Sequence, residues 1–411
     1  MRILLWHGYL LGGTGSNVYT RALAREWSSA GHEVVVVCQD RRSAEIDLGG
    51  ATVVVPELPG RLLPVFVLDR YAGLEPRLLQ DLTPAERRAY VDANAAALRE
   101  QAPADLVFAN HVLLGGPVGA ASGLPFRVKA HGSELEYSMR GRPELEAWGR
   151  ESLAAADATF VGSRHIRDVL EEVVGHVDRV FEVPPGVDVD EFRFEERGQA
   201  LDALVGEAVR DAGNPGNAQE RLPDHGNADR LADFLAGDAP TVVYFGKLID
   251  QKGVHVLLEA MRDIDARLVV VGFGPQRAEL QRLAPERTLF TGPLEHRHLV
   301  HLLPLADVTV VPSIFPEAFG MVAAEAAAAG SPPLVARHSG LAEVAAGIEA
   351  ELPERLHGLV SFSSGDAADL RRVLTAVLGL SRADRDELRH AGRRAVERRW
   401  SWSSVAQQLL R

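Results

Sequence analysis

Short apolar runs alternate along the chain with longer segments whose apolar residues recur at helical spacing. In the first half the runs indicate buried strands, and segments such as 17–30 indicate the helices between them. The predicted strands span residues 2–6, 32–38, 51–55, 105–110, 127–131, 157–162 and 179–183. Because strands alternate with helices, we predict a parallel, doubly wound sheet.

The alternation stops over residues 195–239 and starts again at Thr241. The interruption is polar and rich in turn-forming residues, which is typical of a segment between domains that carries some helix. The later predicted strands span residues 241–245, 267–271, 288–291, 307–311, 333–336 and 358–362, and the later predicted helices span residues 254–263, 276–283, 298–305 and 383–411.

This pattern predicts an α/β protein with two Rossmann-like, doubly wound parallel-sheet domains. The predicted divisions are an N-terminal domain at 1–190, an interdomain segment at 191–239, a C-terminal domain at 240–385, and a C-terminal helix at 386–411 that packs back toward the N-terminal domain. Ligands of open α/β sheets bind at the carboxyl ends of the strands. We therefore expect the two domains to face each other across a ligand-binding cleft.

The composition limits which classes of molecule this protein is expected to bind. A formal net charge of −13 over 411 residues argues against nucleic acid, because a phosphate backbone needs a basic surface. The basic run 393–399 fits a solvated helix face better than a nucleic-acid site. The single cysteine, Cys38, excludes a disulfide framework and fits a buried thiol. No signal peptide or membrane span is evident, so we expect a cytoplasmic protein that can touch a membrane surface.

Lysine is scarce and unevenly placed. Only Lys129, Lys247 and Lys252 occur among 44 basic residues. The last two lie at a predicted strand-to-helix turn, where two ammonium groups and a helix N-terminus would suit a diphosphate. Solvated surface lysines are the alternative.

A second unusual segment follows the predicted strand 307–311. Glu317 falls in the connecting loop, and the helix after it is apolar from residue 321 to 329 except at Glu325. A helix that is apolar all round should be buried, so this lone carboxylate needs a partner. Sugar or ribose hydroxyls would serve, as would an internal salt bridge.

Dinucleotide binding is not supported by the glycine pattern. After Gly272 and Gly274 the third glycine of the G-x-G-x-x-G fingerprint is replaced by Arg277, and after Gly13 and Gly15 it is replaced by Val18. No Walker A motif is present. Both loops can still offer backbone N–H groups to an anion, or they can be plain tight turns.

Taken in order, five motifs resemble the retaining GT-B glycosyltransferases of family 4, the group 1 glycosyltransferases, over nearly the whole chain. They are Gly12-Gly13-Thr14-Gly15, His131-Gly132-Ser133-Glu134, Pro185-Gly186-Val187-Asp188, the pair Lys247 and Lys252 in G-[RK]-L-x-x-x-K-G, and Glu317 and Glu325 in Glu-x7-Glu. The last two are the most specific. The chain departs from the family pattern at Lys247, Ala318 and Pro185, where Arg, Gly and Asn are common, but no charged role is lost.

The resemblance implies roles for individual residues. The catalytic set would be His131, Glu317, Lys252 and Lys247. Donor contacts would come from Gly13, Gly15, Gly246, Lys247, Lys252, Gly272, Leu294, Glu317, Phe319, Gly320, Met321, Val322 and Glu325. The lysines would hold the diphosphate, Glu317 the sugar and Glu325 the ribose. Acceptor candidates are His111, Ser133 and Glu134, and the apolar segment 58–71 could line an acceptor pocket, touch a membrane or belong to the core.

The implied activity is retaining transfer of a hexose from a nucleotide-diphosphate sugar, with UDP-sugar favoured and GDP-mannose next. The acceptor would be a small molecule, a glycan or a lipid-linked molecule. We see no Asp-x-Asp motif placed to hold a divalent ion, so we predict that neither a metal nor another cofactor is needed. A sugar-nucleotide epimerase, a phosphorylase and a non-catalytic sugar-nucleotide binding protein remain alternatives.

Overall fold

The computed structural model describes residues 1–12, 15–66, 71, 73–214 and 222–411, and these form two compact units. The first unit comprises Met1–Gly186 together with Trp402–Arg411, and the second comprises Val187–Ser401. The division at residue 186 falls within the predicted Pro185-Gly186-Val187-Asp188 motif. Each unit carries its own parallel sheet, so the fold class predicted from the sequence is confirmed.

The first unit is built on strands formed by the apolar runs of the first half. Its strands are β1 (Arg2–Trp6), β2 (Glu33–Val37), β3 (Thr52–Val54), β4 (Leu62–Val65), β5 (Glu75–Leu78), β6 (Leu106–Asn110), β7 (Phe126–Lys129), β8 (Ala158–Val161) and β9 (Val180–Glu182). The main sheet has the order β3-β2-β1-β6-β7-β8-β9, all parallel, and β4 pairs with β5 separately. The chain therefore reverses direction across the sheet between β1 and β6.

Helices cover both faces of this sheet. They are α1 (Ser16–Ser29), α2 (Pro84–Glu100), α3 (Gly116–Ser122), α4 (Pro143–Ala154) and α5 (Arg164–Val174). Alternate residues of β1 enter different cores, with Leu4 and Trp6 on one face and Ile3 and Leu5 on the other. Burial on both faces explains why the strands are continuous apolar runs rather than alternating ones.

The last helix of the chain, Trp402–Leu410, also packs on the first unit. The ring of Trp402 meets that of Tyr19 at a centroid distance of 5.5 Å, and Trp27 Nε1 donates to the carbonyl of Ala406 at 3.0 Å. The predicted return of the C-terminal segment to the N-terminal domain therefore applies to this helix alone.

The second unit repeats the design with six strands. They are β10 (Thr241–Phe245), β11 (Arg267–Val271), β12 (Thr288–Gly292), β13 (Val308–Val311), β14 (Pro333–Ala336) and β15 (Ser361–Phe362). Their order is β12-β11-β10-β13-β14-β15, all parallel. Here the reversal lies between β10 and β13, so the connections that follow these two strands start side by side.

Its helices are α6 (Arg197–Val209), α7 (Asn227–Leu235), α8 (Val254–Met261), α9 (Arg277–Leu283), α10 (His296–Leu302), α11 (Met321–Ala328), α12 (Ser339–Glu349), α13 (Ala367–Leu378) and α14 (Arg382–Ala395). The first two come from the segment predicted to lie between domains. Leu204 and Leu231 are fully buried in the second unit's core, so the described part of residues 191–239 belongs to that unit and is not a separate linker.

The basic run near the C-terminus is not simply a solvated helix face. The Arg393 guanidinium donates to the backbone carbonyls of Val189, Phe192 and Ala328, so it caps the end of α11. Arg398 pairs with Glu351 at 2.8 Å. These contacts explain the run as packing within the second unit. Across the described part of the chain, none of the helices has the length and apolar character needed to span a bilayer.

Candidate functional site

The carboxyl ends of β10 and β13 bring the two charged motifs of the second unit together. Lys247 and Lys252 lie on the connection after β10, and Glu317 lies on the connection after β13. Gly253 has a φ of 62°, and a Cβ on it would lie 2.0 Å from the carbonyl oxygen of Pro312. Because only glycine fits so close an approach, the backbones of the two connections pack directly against each other.

Glu317 is held in place at both its side chain and its backbone. Its Oε1 accepts from the ammonium of Lys252 and, at 2.6 Å, from the hydroxyl of Ser313. Its backbone N–H donates to Ser339 Oγ at 2.8 Å. Within the described residues Oε2 makes no hydrogen bond, so this oxygen is available to a ligand hydroxyl.

His338 supports the same arrangement from the end of β14. Its Nε2 donates to the carbonyl of Ser313 at 2.6 Å, which leaves Nδ1 to accept from the hydroxyl of Ser339 at 2.9 Å. The sequence analysis missed these three residues. A search for polar side chains directly after predicted strands would have found them.

Lys247 combines a fixed backbone with a free side chain. Its carbonyl accepts from the hydroxyl of Tyr244 at 2.8 Å, while its ammonium is exposed and has no ion pair in the part of the chain that the structure describes. Next to it, a Cβ on Gly272 would lie 1.8 Å from the carbonyl oxygen of Gly246, so the ends of β10 and β11 also touch through their backbones.

Helix α11 begins four residues after Glu317, next to the cluster formed by Lys247, Lys252 and Glu317. Phe319 is buried, with its ring 5.5 Å from that of Trp400, so only its backbone remains for a ligand. Gly320 precedes the helix, and Met321 and Val322 are half-buried in its first turn. The first N–H groups of a helix have no partner within it. They therefore give the cluster an anion-attracting end.

Glu325 lies one turn further along α11 and is half-buried, and its carboxyl group makes no hydrogen bond among the described residues. Burial raises the pKa of Glu325 to about 7, and the nearby charge of His296 counteracts part of the increase. His296 is itself 2.5 Å from Glu191, an ion pair that raises the pKa of the imidazole. Leu294, two residues before His296 in the sequence, is half-buried against the core of the second unit.

In the first unit, three histidines follow three neighbouring strands. His7 follows β1, His111 follows β6 and His131 lies shortly after β7. The ring of His111 is 4.7 Å from that of His131 and 6.4 Å from that of His7, centroid to centroid. Burial, and then the charge of His111, lower the pKa of His7 to about 3 and that of His131 well below its ordinary value. Both rings are therefore neutral at neutral pH.

Two asparagines orient these rings. His131 Nε2 lies 2.7 Å from Asn110 Oδ1, and His7 Nε2 lies 2.8 Å from Asn17 Oδ1. Asn17 also donates to the carbonyl of Gly12, which ties the described part of the glycine loop to the histidines. Sequence analysis identified His111 and His131 but not His7 or the asparagines.

His111 has an unusual backbone and a buried carboxylate partner. Its φ is 72°, a conformation that a residue other than glycine adopts only when its surroundings enforce it. Its Nδ1 faces Glu134 Oε2 at 3.4 Å, whereas its Nε2 is buried and unpartnered among the described residues. A proton on Nδ1 leaves Nε2 able to accept a hydrogen bond.

Glu134 is fully buried. Its Oε1 accepts from the backbone N–H groups of His131 at 3.0 Å and Val112 at 3.3 Å. Although burial alone would raise the pKa of Glu134, the charge of His111, the hydrogen bond with its ring and the hydrogen bond from the backbone N–H of His131 bring it below the ordinary value. Ser133 is half-exposed beside it.

Two predicted regions are described only in part. Gly15 is exposed at the start of α1, and Gly13 lies outside the described residues. In the apolar segment 58–71, Leu63, Val65 and Phe66 are buried in the first unit's core, while residues 67–70 lie outside the description. These residues of the segment therefore belong to the core, whereas residues 59–61 are exposed.

One group of possible metal ligands occurs among the described residues, formed by Asp211, Glu295 and His298. His298 Nδ1 accepts from the backbone N–H of Glu295 at 3.1 Å, so its Nε2 carries the proton and faces Asp211. Arg297 forms ion pairs with both carboxylates. The group is therefore explained as an ion-pair network that joins α6 to α10. Metal independence stays a prediction.

Comparison with known proteins identifies the family. Residues 13–191 match the family described as Glycosyltransferase Family 4, and residues 229–395 match Glycosyl transferases group 1. A D-inositol 3-phosphate glycosyltransferase of Xylanimonas cellulosilytica is 30% identical over 355 residues, which cover 80% of this chain and 77% of the relative.

Two further proteins are similar to this chain. A GDP-mannose-dependent alpha-(1-6)-phosphatidylinositol monomannoside mannosyltransferase of Mycolicibacterium smegmatis is 28% identical over 247 residues, 56% of each protein. The solved structure of HepE from Anabaena in complex with UDP-glucose has a TM-score of 0.66 at 16% identity and covers 100% of this chain and 98% of that one, a likeness of fold. The chain thus belongs to the group 1 glycosyltransferases of family 4 and has their two-domain GT-B fold.

Proposed function

We propose that this glycosyltransferase moves a hexose from a nucleotide-diphosphate sugar to a hydroxyl group with retention of configuration and without a metal ion. The observation that carries the proposal is the cluster at the β10–β13 reversal. There the connection after β10 supplies two ammonium groups, the connection after β13 supplies an anchored carboxylate, and α11 supplies a helix N-terminus and a second carboxylate. Among the described residues this second carboxylate has no hydrogen bond. Each of these groups matches a different part of such a donor.

The diphosphate is assigned to Lys247, Lys252 and the first turn of α11. When the bond between the sugar and the diphosphate breaks, negative charge accumulates on the departing phosphate oxygen. Two ammonium groups and the helix N-terminus stabilise that charge. Because they already supply positive charge, no divalent cation is required. Lys252, which contacts Glu317, can serve both the phosphate and the sugar-binding carboxylate.

The sugar is assigned to Glu317 and the ribose to Glu325. Lys252 and Ser313 hold the carboxylate of Glu317, and its Oε2 has no hydrogen bond within the described residues. This oxygen can therefore accept from a sugar hydroxyl without being reoriented. Glu325 can accept from ribose hydroxyls, which would supply the hydrogen bonds that it otherwise lacks. We favour a UDP-sugar as donor, with GDP-mannose next. HepE binds UDP-glucose, and the mannosyltransferase relative depends on GDP-mannose.

The acceptor is assigned to the first unit, with His131 and His111 as its contacts. His111 Nε2 can accept a hydrogen bond from another hydroxyl group of the acceptor, and Glu134, which is fully buried, acts through His111 as a positioning residue rather than touching the acceptor. In front-face transfer the acceptor oxygen bonds to the anomeric carbon as the phosphate departs from the same face. The hydroxyl proton then passes to the departing phosphate oxygen.

Transfer of radiolabelled sugar tests the proposal. The wild-type protein is incubated with UDP-glucose or GDP-mannose and a panel of hydroxyl acceptors in the presence of EDTA, and it should label an acceptor. Nuclear magnetic resonance of the product should show the same anomeric configuration as in the donor. Lys252→Ala should lower kcat/KM at least about a hundredfold. The exposed Arg282→Ala in the same unit is the matched control and should be unchanged.

Three results would contradict the proposal. Isomerisation of the donor sugar without an acceptor would indicate an epimerase. Turnover that requires inorganic phosphate as the acceptor would indicate a phosphorylase. Activity that is lost in EDTA and restored by Mg²⁺ would contradict metal independence.

A further inference from the structure

The start of α12 packs directly against the loop that carries Glu317. The backbone N–H of Gly340 donates to the carbonyl of Glu317 at 3.0 Å. A Cβ on Gly340 would lie 2.5 Å from the Cα of Phe319, so only glycine allows this approach. The backbone of the loop and the first turn of α12 are therefore held in contact, entirely within the second unit.

Ser339, the residue between His338 and Gly340, has a backbone conformation that is unfavourable for serine. Its φ is 46°, in the left-handed region that glycine adopts readily and other residues adopt at a cost. The contacts of Gly340 keep Ser339 in this conformation, because a rotation at Ser339 would move Gly340 away from the Glu317 loop. Backbone strain of this kind persists only where the surroundings enforce it, and it is concentrated at functional sites.

The hydroxyl group of Ser339 makes two hydrogen bonds. Its oxygen accepts from the backbone N–H of Glu317 at 2.8 Å, and its proton is donated to Nδ1 of His338 at 2.9 Å. A glycine at this position would relieve the backbone strain but would lose both hydrogen bonds. The strain is therefore the cost of placing a hydroxyl group against the backbone of Glu317.

The ring of His338 is connected to both ends of the Glu317 loop. Its Nδ1 accepts from Ser339, and its Nε2 donates to the carbonyl of Ser313 at 2.6 Å. The hydroxyl of Ser313 in turn donates to Oε1 of Glu317 at 2.6 Å. One ring therefore holds the carboxylate of Glu317 through Ser313 and the backbone of Glu317 through Ser339.

We propose that His338 and Ser339 are positioning residues for sugar transfer, which keep the carboxylate of Glu317 aimed at the donor sugar. Neither residue touches the donor, and both act through Glu317, whose Oε2 we assign to a sugar hydroxyl. A group that binds the reacting sugar has to be fixed in advance, because a small displacement of the sugar lowers the rate strongly. The inference rests on the proposed function, since it concerns the carboxylate assigned to the sugar.

Two substitutions of Ser339 separate the role of its hydroxyl group from that of its backbone. Ser339→Gly and Ser339→Ala both remove the hydroxyl, but only glycine adopts a φ of 46° without strain. The Tm of Ser339→Ala should therefore lie about 2–4 °C below that of Ser339→Gly. Both variants should nevertheless lower kcat/KM for the nucleotide sugar by a similar factor of about five, which corresponds to one hydrogen bond. The exposed Ser364→Ala of the same unit is the matched control and should change neither quantity.

Calorimetric binding of the donor and of its nucleotide identifies which part of the donor is affected. Both Ser339 variants should bind UDP or GDP as the wild type does, because a free nucleoside diphosphate carries no sugar, whereas they should bind the nucleotide sugar more weakly. Adding Ser339→Gly to Glu317→Ala should weaken binding of the nucleotide sugar no further, because the carboxylate that Ser339 positions is then absent. His338→Phe keeps a ring but removes both nitrogen atoms, and it should lower kcat/KM at least as much as Ser339→Gly.

Four results would show that the positioning role is wrong. They are a kcat/KM of the two Ser339 variants that follows their Tm, wild-type activity in Ser339→Gly, wild-type activity in His338→Phe, and an effect of Ser339→Gly that adds in full to that of Glu317→Ala. Each of them leaves the proposed function standing as long as the wild type binds a nucleoside diphosphate. A wild type that binds neither UDP nor GDP would contradict the proposed function, and this inference with it.

Discussion

Glu325 is the one polar residue of a helix whose other side chains are apolar, and its carboxyl group makes no hydrogen bond among the described residues. Burial raises its pKa to about 7, against the opposing influence of His296. A carboxyl group in such surroundings is costly to ionise, and ribose hydroxyls would provide the missing hydrogen bonds. We therefore expect this position to favour ligand binding at the expense of stability.

Replacing the carboxyl group of Glu325 should reveal its cost to stability as a pH-dependent difference in Tm. The folded-state pKa of Glu325 lies above its unfolded value, so its contribution to stability is present at low pH and is lost as pH rises through about 7. Glu325→Gln cannot ionise. Its Tm should therefore rise relative to the wild type by roughly 2–4 °C between about pH 5 and about pH 8, as measured by scanning calorimetry without ligand.

The exposed Glu279→Gln of the same unit controls for the loss of a negative charge. A Tm difference between Glu325→Gln and wild type that stays constant across this pH range would contradict the assigned burial of the carboxyl group. Glu325→Gln should also bind nucleoside diphosphate more weakly than the wild type.

The charged residues of the site could be predicted because each differs in chemical character from the residues around it or is of a type that is rare in the chain. Glu325 is alone in an apolar helix, and Lys252 is one of three lysines in the chain. Ser313, His338 and His296 could not be predicted in the same way. Their importance depends on which strands are neighbours, and local periodicity does not contain the order β10-β13-β14.

At the scale of elements, two connections form the donor site by backbone contact. The connection after β10 reaches the connection after β13 at Gly253, and the N–H of Ile314 donates to the carbonyl of Gln251 at 3.0 Å. Lys252 and Glu317 lie on either side of this contact. Any side chain at residue 253 would separate the groups that we assign to the diphosphate and the sugar.

Gly253→Ala should therefore lower both stability and donor affinity. Its φ of 62° alone costs an alanine about 1–2 kcal/mol, and the overlap with Pro312 adds to that. Gly206→Ala is the matched control, because Gly206 lies inside α6 with open space around it, and alanine there should stabilise the helix by about 0.5–1 kcal/mol.

Thermal unfolding and the donor KM measure both effects. If Gly253→Ala is as stable as Gly206→Ala and has a normal KM, the contact between the two connections does not hold the site together.

Most strands could be predicted, and the exceptions have physical causes. The predicted ranges of β1, β10, β11 and β14 agree with the structure residue for residue, because their apolar runs are sharply bounded. β15 is shorter than predicted, since Gly358 has a φ of 77° and lies before the strand. The continuous C-terminal helix predicted over 383–411 is interrupted at Ser401, where the two units divide.

At the scale of the whole molecule, a strongly acidic chain has to bind ligands that are themselves anionic. We propose that it does so with local charge, through Lys247 and Lys252 in the second unit. Lys129 is different, because its ammonium is buried and donates to the carbonyl of Val183 at 2.5 Å, and burial lowers its pKa to about 7. The net charge argues against nucleic acid as a ligand but does not predict where a local cluster of positive charge lies.

The boundaries between domains were harder to predict than the domains themselves. Residues 191–239 are polar and contain many turn residues, yet α6 and α7 place Leu204 and Leu231 in the second unit's core. A short amphipathic helix in a polar segment gives a weak sequence signal, because its apolar face is only a few residues wide. Tertiary packing decides which unit it joins.

The most direct test of the central claim is calorimetric titration of UDP and GDP into the protein in EDTA. One nucleoside diphosphate should bind at one site per chain. The affinity should fall about tenfold or more when Lys247→Ala and Lys252→Ala are combined, and Arg282→Ala should leave it unchanged. If neither nucleotide binds without Mg²⁺, or if the lysine substitutions leave the affinity unchanged, the assignment of the donor site to the β10–β13 reversal is wrong.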